Sequence, residues 1–204
     1  MRIYISGKIS FLPFDEVQNK FKAAQEKLDQ LGFEVVNPLK NGLTINDSWE
    51  DHIKLDISTL SSCDAIYMLR DWNLSRGALI EHDFTDKNKL DMWFEANDSP
   101  TERIAMKVAN AVFNATGQRL SGMSKRGKQI ETVYARMLFS YFCRKENMLF
   151  REISSFVQRN TSTVIHSLKL VDNEVNYNPK FRKMFNEIET ALNEIENNYN
   201  LKLK

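Results

Sequence analysis

Cysteine is almost missing from this sequence: Cys63 and Cys143 are the only two in 204 residues and lie far apart. That usage gives no basis for a disulfide framework or a cysteine-built zinc cluster. Histidine is equally sparse, with His52, His82 and His166 scattered along the chain. His52 and Asp56, at helical spacing, are compatible with a metal or with a plain surface pair, the commoner case. No apolar run approaches the ~20 residues of a membrane span. Met1-Arg2-Ile3-Tyr4-Ile5 enters a strand pattern where a secretory leader would place its apolar segment. The expectation is a cytoplasmic protein with no membrane partner.

Net charge is also scarce, at +1 overall, but it is unevenly divided. Residues 1–116 hold 13 Lys/Arg against 18 Asp/Glu, net −5, and residues 117–204 hold 15 against 9, net +6. The basic excess concentrates at 119–169. Two modules with different partners are implied, although a charge run by itself is often a solvated face.

In the first module, Ile3-Tyr4-Ile5 is a short β-branched and aromatic run broken by Ser6-Gly7-Lys8. Phe14, Val17, Phe21, Ala24, Leu28 and Leu31 recur at helical intervals, and Gly32 stops them. A strand over Phe33–Val36 ends at Asn37-Pro38, and Leu39–Ser48 reads as a polar loop. A helix from Trp49 to Leu60 capped by Ser48 follows, then a strand over Ala65–Leu69, a helix from Ser75 and a strand around Leu90–Phe94. Ser99-Pro100-Thr101-Glu102 is a capping box that opens a helix to about Ala115. Such alternation predicts an α/β fold: a flavodoxin- or Rossmann-like parallel sheet of four strands, or five, ordered 2-1-3-4. Ligands of such sheets sit beyond the carboxyl ends of the strands where the winding reverses. Here that point lies between the first and third strands, which brings Tyr4, Gly7 and Lys8 to the turn Ser75–Glu81.

Ser75 suits an N-cap, Gly77 permits close backbone approach, and the exposed amides of a helix start suit an anion such as a phosphate. Glu81 lies about one and a half turns further on. On these residues alone, a capped helix with a solvated Glu81 is the plainer reading. Trp49 and Trp72 are compatible with stacking on a base, or with packing. The loop after Asn37-Pro38 is expected at the same sheet edge, so Asn37 joins the candidates.

Tyr4-Ile5-Ser6-Gly7-Lys8-Ile9, Asp56 ahead of Cys63-Asp64-Ala65-Ile66, and Ser75-x-Gly77-Ala78-x-x-Glu81 together resemble the nucleoside 2-deoxyribosyltransferase superfamily over roughly residues 1–95. The nearest pattern is a bacterial and phage branch that shares the Ser-x-Gly-Ala-x-x-Glu segment and Trp49-Glu50-Asp51. The resemblance implies Glu81 as the nucleophile at the sugar C1′, Asp56 as the carboxylate beside the sugar, and Tyr4 as the group that positions the nucleophile. The transferases carry an aspartate six residues before the nucleophile, where this chain has Ser75. The same exchange marks the 2′-deoxynucleoside 5′-monophosphate N-hydrolases, which implies a nucleotide held by Ser75, Arg76 and Gly77, with Lys8 nearby. Lys8 departs from the small residue those hydrolases carry. A catalytic module of this kind needs no cofactor, and its family commonly builds homo-oligomers.

Residues 117–128 hold three glycines and four basic residues without apolar periodicity, and read as a linker between a domain over 1–116 and one over 129–204. The second domain reads as all helix: Ile130–Glu146, Leu149–Val157, Ser162–Asn176 and Pro179–Tyr199. Ala135-Arg136-Met137, Tyr141-Phe142-x-Arg144, Phe150-Arg151-Glu152-Ile153-x-x-Phe156 and Arg159–His166 resemble the helix-turn-helix DNA-binding domain of the replication initiator DnaA over roughly 120–192. Asn160 and Thr161 replace the Asp-His pair of that family. The resemblance implies double-stranded DNA as a partner, contacted by Arg159, Asn160, Thr161, Ser162 and Thr163, with Arg136, Lys125, Arg126 and Lys128 at phosphates or the minor groove. A basic helical bundle used for self-association is the alternative. The pairing of two such modules fits a phage or mobile element.

Overall fold

Four short apolar runs form one parallel sheet: β1 Arg2–Ser6, β2 Glu34–Val36, β3 Ala65–Met68 and β4 Asp91–Phe94. Their order is β2-β1-β3-β4, as the alternation of elements predicts, and Tyr4 stands opposite Ile66 and Ser6 opposite Met68. The structure is a computed structural model that describes residues 1–44 and 46–202, without the side chains of 199–202. Ile45, within the loop expected over Leu39–Ser48, lies outside the described residues.

The chain divides into two units, Met1–Asp98 and Ser99–Lys204. The first holds the sheet with α1 Phe14–Gln30, α2 Trp49–Leu60 and α3 Arg76–Asn88. Helix α1 follows Pro13 and buries Val17, Phe21, Ala24 and Leu28 on one stripe, and Gly32 ends it at φ 80°. Ser48 caps α2 by accepting the Asp51 N–H at 3.1 Å. Successive strand residues face opposite sides. On one side Lys27 of α1 donates to the Tyr67 hydroxyl at 2.7 Å. On the other, Tyr4, Ile66 and Met68 pack with Leu60, Cys63 and Ala78 in one buried cluster. Removing each large apolar side chain of this core from water stabilises the fold by about 1.5–3 kcal/mol.

The second unit consists, among its described residues, of helices joined by turns: α4 Pro100–Thr116, α5 Leu120–Ser124, α6 Ile130–Lys145, α7 Phe150–Val157, α8 Thr161–Tyr177 and α9 Pro179–Lys202. Two boundaries differ from those expected. The helix opened by Ser99 has its cap, with the Glu102 N–H bonded to the Ser99 hydroxyl at 3.1 Å, but it belongs to the second unit. Its buried stripe, rich in Ala105, Ala109 and Ala111, lets α6 and α9 approach closely. Residues 117–128 are not an open linker, because α5 folds against α6 and α7 with Met123 fully buried. The division therefore falls after Asp98 and not after residue 116.

Candidate active site and the basic corner of the helical unit

Strand β1 places Tyr4 and Ser6 on the face covered by α2 and α3, and both reach Glu81 of α3. The Tyr4 hydroxyl donates to Oε1 at 2.9 Å and the Ser6 hydroxyl to Oε2 at 2.5 Å. Glu81 is 5% exposed, so the solvated-Glu81 reading does not hold. Asp56, on the inward stripe of α2, is 9% exposed and accepts from Asn41 Nδ2 at 3.3 Å. It also lies within hydrogen-bonding reach of Tyr4.

Burial dominates the electrostatics here. It pushes the Glu81 carboxyl up to about 7; the Ser6 hydrogen bond opposes this, the Asp56 charge adds to it, and the Tyr4 bond opposes it again. Asp56 is also raised by burial, against hydrogen bonds from Tyr4 and Asn41 and the nearby His52. Tyr4 is held well above its ordinary range by burial and by the two carboxylates. The phenol has one proton. When that proton goes to Glu81, the bond between Tyr4 and Asp56 needs a proton on Asp56. One phenol proton therefore cannot serve two ionised carboxylates at once, and Glu81, the more strongly raised of the pair and raised further by the Asp56 charge, holds its proton to higher pH.

The remaining residues expected around the site divide into two groups. Ser75 caps α3, accepting the Ala78 N–H at 3.3 Å, and the Arg76 and Gly77 amides fall at the helix tip before its internal ladder begins. The Arg76 guanidinium lies 4.2 Å from the Trp49 ring centroid, a cation–π contact. Lys8 is half-buried, and its N–H donates to Asp71 Oδ1 at 3.2 Å. Lys20 of α1 ties both loops of the winding reversal, bonding Asp71 Oδ2 at 2.5 Å and the Lys8 carbonyl.

Three other candidates are occupied in packing. A Cβ on Gly7 would stand 2.7 Å from Leu69 Cδ1, so glycine is required there by the end of β3. Trp72 is stacked on His82, with ring centroids 4.6 Å apart and planes 10° from parallel. Asn37 caps the turn Pro38–Lys40 through the Leu39 N–H at 3.0 Å and donates to Gln25 at 3.2 Å. His52 Nε2 bonds the Thr44 carbonyl at 3.0 Å.

Sequence reading missed Ser6 and Asn41. The period-2 alternation of β1 was the available signal for Ser6, since it shares the Tyr4 face. Asn41 sits in a loop whose path no local pattern dictates.

In the second unit α7 and α8 are joined by a turn in which Gln158 adopts φ 48°. Ile153, Val157 and Val164 are buried across it. Lys125, Arg126, Lys128, Asn160, Ser162 and Thr163 are exposed, and the Thr161 hydroxyl pairs with that of Ser154 at 3.0 Å. Arg159 and Arg136 are engaged internally. Arg159 donates to the carbonyls of Ser124 at 3.0 Å, Gln158 at 2.8 Å, Val157 at 3.3 Å and also Lys125. Arg136 Nε donates to the Met123 carbonyl at 2.8 Å. Burial lowers the Arg136 pKa, and the neighbouring Arg159 charge lowers it further. The two guanidinium groups thus staple the segment after α5 onto α6 and the α7–α8 turn.

No helix among the described residues is long and apolar enough to cross a membrane, and no trio of His, Cys, Asp or Glu among them is grouped to hold a metal ion. No curated protein and no solved structure matches the chain. Residues 1–94, the stretch that carries all four strands and the Tyr4, Asp56 and Glu81 site, match the model of a domain family described as a domain of unknown function, DUF4406.

Proposed function

We propose that the first unit is an N-glycosidase, or a deoxyribosyltransferase-like enzyme, that cleaves the base–sugar bond of a (deoxy)nucleoside 5′-monophosphate, and that the second unit binds double-stranded DNA. The observation that carries the enzymatic reading is the buried Glu81 carboxyl, held at both oxygens by hydroxyls and set beside Asp56. In this reading a Glu81 oxygen bonds to C1′ while the C1′–N bond breaks, its electron pair leaving with the base. Asp56 gives the base a proton, and Tyr4 keeps Glu81 aimed. The phosphate rests on the Arg76 and Gly77 amides with the Arg76 side chain and Lys8 around it, supported by the exposed tip of α3.

Incubation with nucleoside monophosphates, nucleosides and dinucleotides, followed by chromatography for free base, tests this. Release by the wild-type protein that vanishes in Glu81→Gln supports the assignment; equal release by Glu81→Gln removes Glu81 as nucleophile. Thermal stabilisation by a nucleotide without any base release would favour instead a DNA-binding regulator that senses the nucleotide.

The DNA reading rests on the exposed start of α8 together with the exposed Lys125, Arg126 and Lys128. The engaged positions of Arg136 and Arg159 shift the expected phosphate contacts towards those three cations. A homo-oligomer is part of the same proposal. Phe11, 98% exposed at φ 62°, and the exposed Phe14 offer apolar surface in the first unit that fits a second copy.

A further inference from the structure

Residues i and i+2 of a strand share a face, so β1 offers two hydroxyls to α3, from Tyr4 and from Ser6. Ser6 is 1% exposed, and its hydroxyl lies 2.5 Å from Glu81 Oε2, on the carboxylate oxygen that Tyr4 does not hold. A hydroxyl bonds a charged carboxylate more strongly than it bonds a neutral acid or an ester. We propose that Ser6 is a positioning residue of the glycosyl-transfer site, one that holds Glu81 as an oriented carboxylate and favours return of the glycosyl ester to the free carboxylate. This rests on Glu81 being the nucleophile.

The charge on Glu81 disappears and returns within one turnover. In the first step its oxygen bonds C1′, the base departs with the electron pair of the C1′–N bond, and Asp56 supplies the proton. In the second, the oxygen of a water molecule bonds C1′, the Glu81 O–C1′ bond breaks with its pair returning to the carboxylate, and the water proton passes to Asp56. A donor on Oε2 resists the first step slightly and assists the second. It also enlarges the fraction of enzyme whose Glu81 is ionised near neutrality. The groups that act on Glu81 are Tyr4 and Ser6 from β1 and Asp56 from α2, with His52 of α2 acting on Asp56. Of the two hydroxyls, Ser6 does more to favour the charged form.

Ser6→Ala and Ser6→Cys in the full chain test the proposal. For Ser6→Ala the acid limb of kcat/KM should move up by about one pH unit, and acid-quenched intact-mass spectra should show a several-fold larger glycosyl-enzyme fraction. Ser6→Cys, which keeps a weak donor, should fall between. An unchanged acid limb and adduct fraction would overturn the role, and if Ser6→Ala does not fold, Ser6→Cys must still shift both in the same direction. A substrate-free titration of Glu81 by carboxyl-carbon NMR separates this proposal from the reading beneath it. A midpoint that rises in the Ser6 variant while the wild type releases no base would keep the hold on Glu81 and discard the glycosidase. Base release by the wild type with an unmoved midpoint in the variant would do the reverse.

Discussion

Replacing Glu81 with Gln should make the first unit more stable at pH 8 than at pH 4.5, each relative to wild type. Burial raises the Glu81 carboxyl from an ordinary 4.5 to about 7. A displacement of about 2.5 pH units at roughly 1.36 kcal/mol each amounts to about 3 kcal/mol. The sign follows from proton binding. Below pH 4.5 both the folded and the unfolded chain hold the proton, and Glu81 contributes nothing against folding. Between 4.5 and 7 the unfolded chain releases it while the folded chain keeps it, so stability falls as pH rises, and above 7 the full penalty of a buried charge is present. Gln carries no charge at any pH. Whatever the amide loses in its bonds to Tyr4 and Ser6 is the same at both pH values, so it cancels when the two mutant-minus-wild-type differences are subtracted.

Urea unfolding followed by tryptophan fluorescence isolates this unit, because Trp49, Trp72 and Trp93 all lie within Met1–Asp98. The expected double difference is about 3 kcal/mol in favour of Glu81→Gln at pH 8. A double difference near zero would refute the claim that burial raises the Glu81 carboxyl above its ordinary range. The same titration should govern activity in the opposite sense: kcat/KM for base release should climb through pH 7 as Glu81 ionises, while wild-type stability declines over that range.

Arg159→Ala should destabilise the helical unit by about 1–3 kcal/mol, read from helical circular dichroism on melting, because the carbonyls of Ser124, Val157, Gln158 and Lys125 each lose one donor, Lys125 keeping Arg136. A melt identical to wild type would return Arg159 to the pool of free DNA contacts. Replacing Lys125, Arg126 and Lys128 together with Ala should leave that melt unchanged, weaken duplex binding at low salt and flatten the slope of log affinity against log salt by roughly 0.9 for each phosphate no longer neutralised. An unaltered slope would place the DNA elsewhere. Gly7→Ala should destabilise the first unit by about 1–3 kcal/mol through overpacking against Leu69; wild-type stability in urea would mean that β3 yields easily.

The sheet order was legible because each strand is a short apolar run bounded by Gly, Pro, Asn or Asp and followed by a helix, a pattern with few allowed connections. The unit boundary was not. Capping residues and periodicity mark Pro100–Thr116 as a helix but carry no information about its partners, and its packing against α6 and α9 is decided by distant residues. Likewise Gly122 and the basic run around it read as a linker, while the buried Met123 that anchors α5 gives no local signal. Within the site, topology brought Tyr4 and the turn holding Glu81 together, whereas Asp56 was reached only through the resemblance. The placement of Arg136 and Arg159 did not follow, since a basic residue at a turn looks the same in sequence whether it faces a phosphate or a backbone carbonyl.

Two buried acids in one cluster demand an explanation that packing does not provide. Neither Glu81 nor Asp56 is paired with a lysine or arginine among the described residues; their partners are the neutral Tyr4, Ser6 and Asn41. Apolar side chains of similar volume would serve the core better than uncompensated carboxyls. The same unit sets Lys20 on Asp71 and Lys27 on Asp98, where ion pairs tie loops together, and gives the two central acids no lysine or arginine among the described residues. A core under selection for stability alone would neutralise or replace them. Buried carboxyls with raised affinity for protons, aimed by hydroxyls and lying where a parallel sheet reverses its winding, are better accounted for as chemistry that the fold tolerates than as structure that the fold requires.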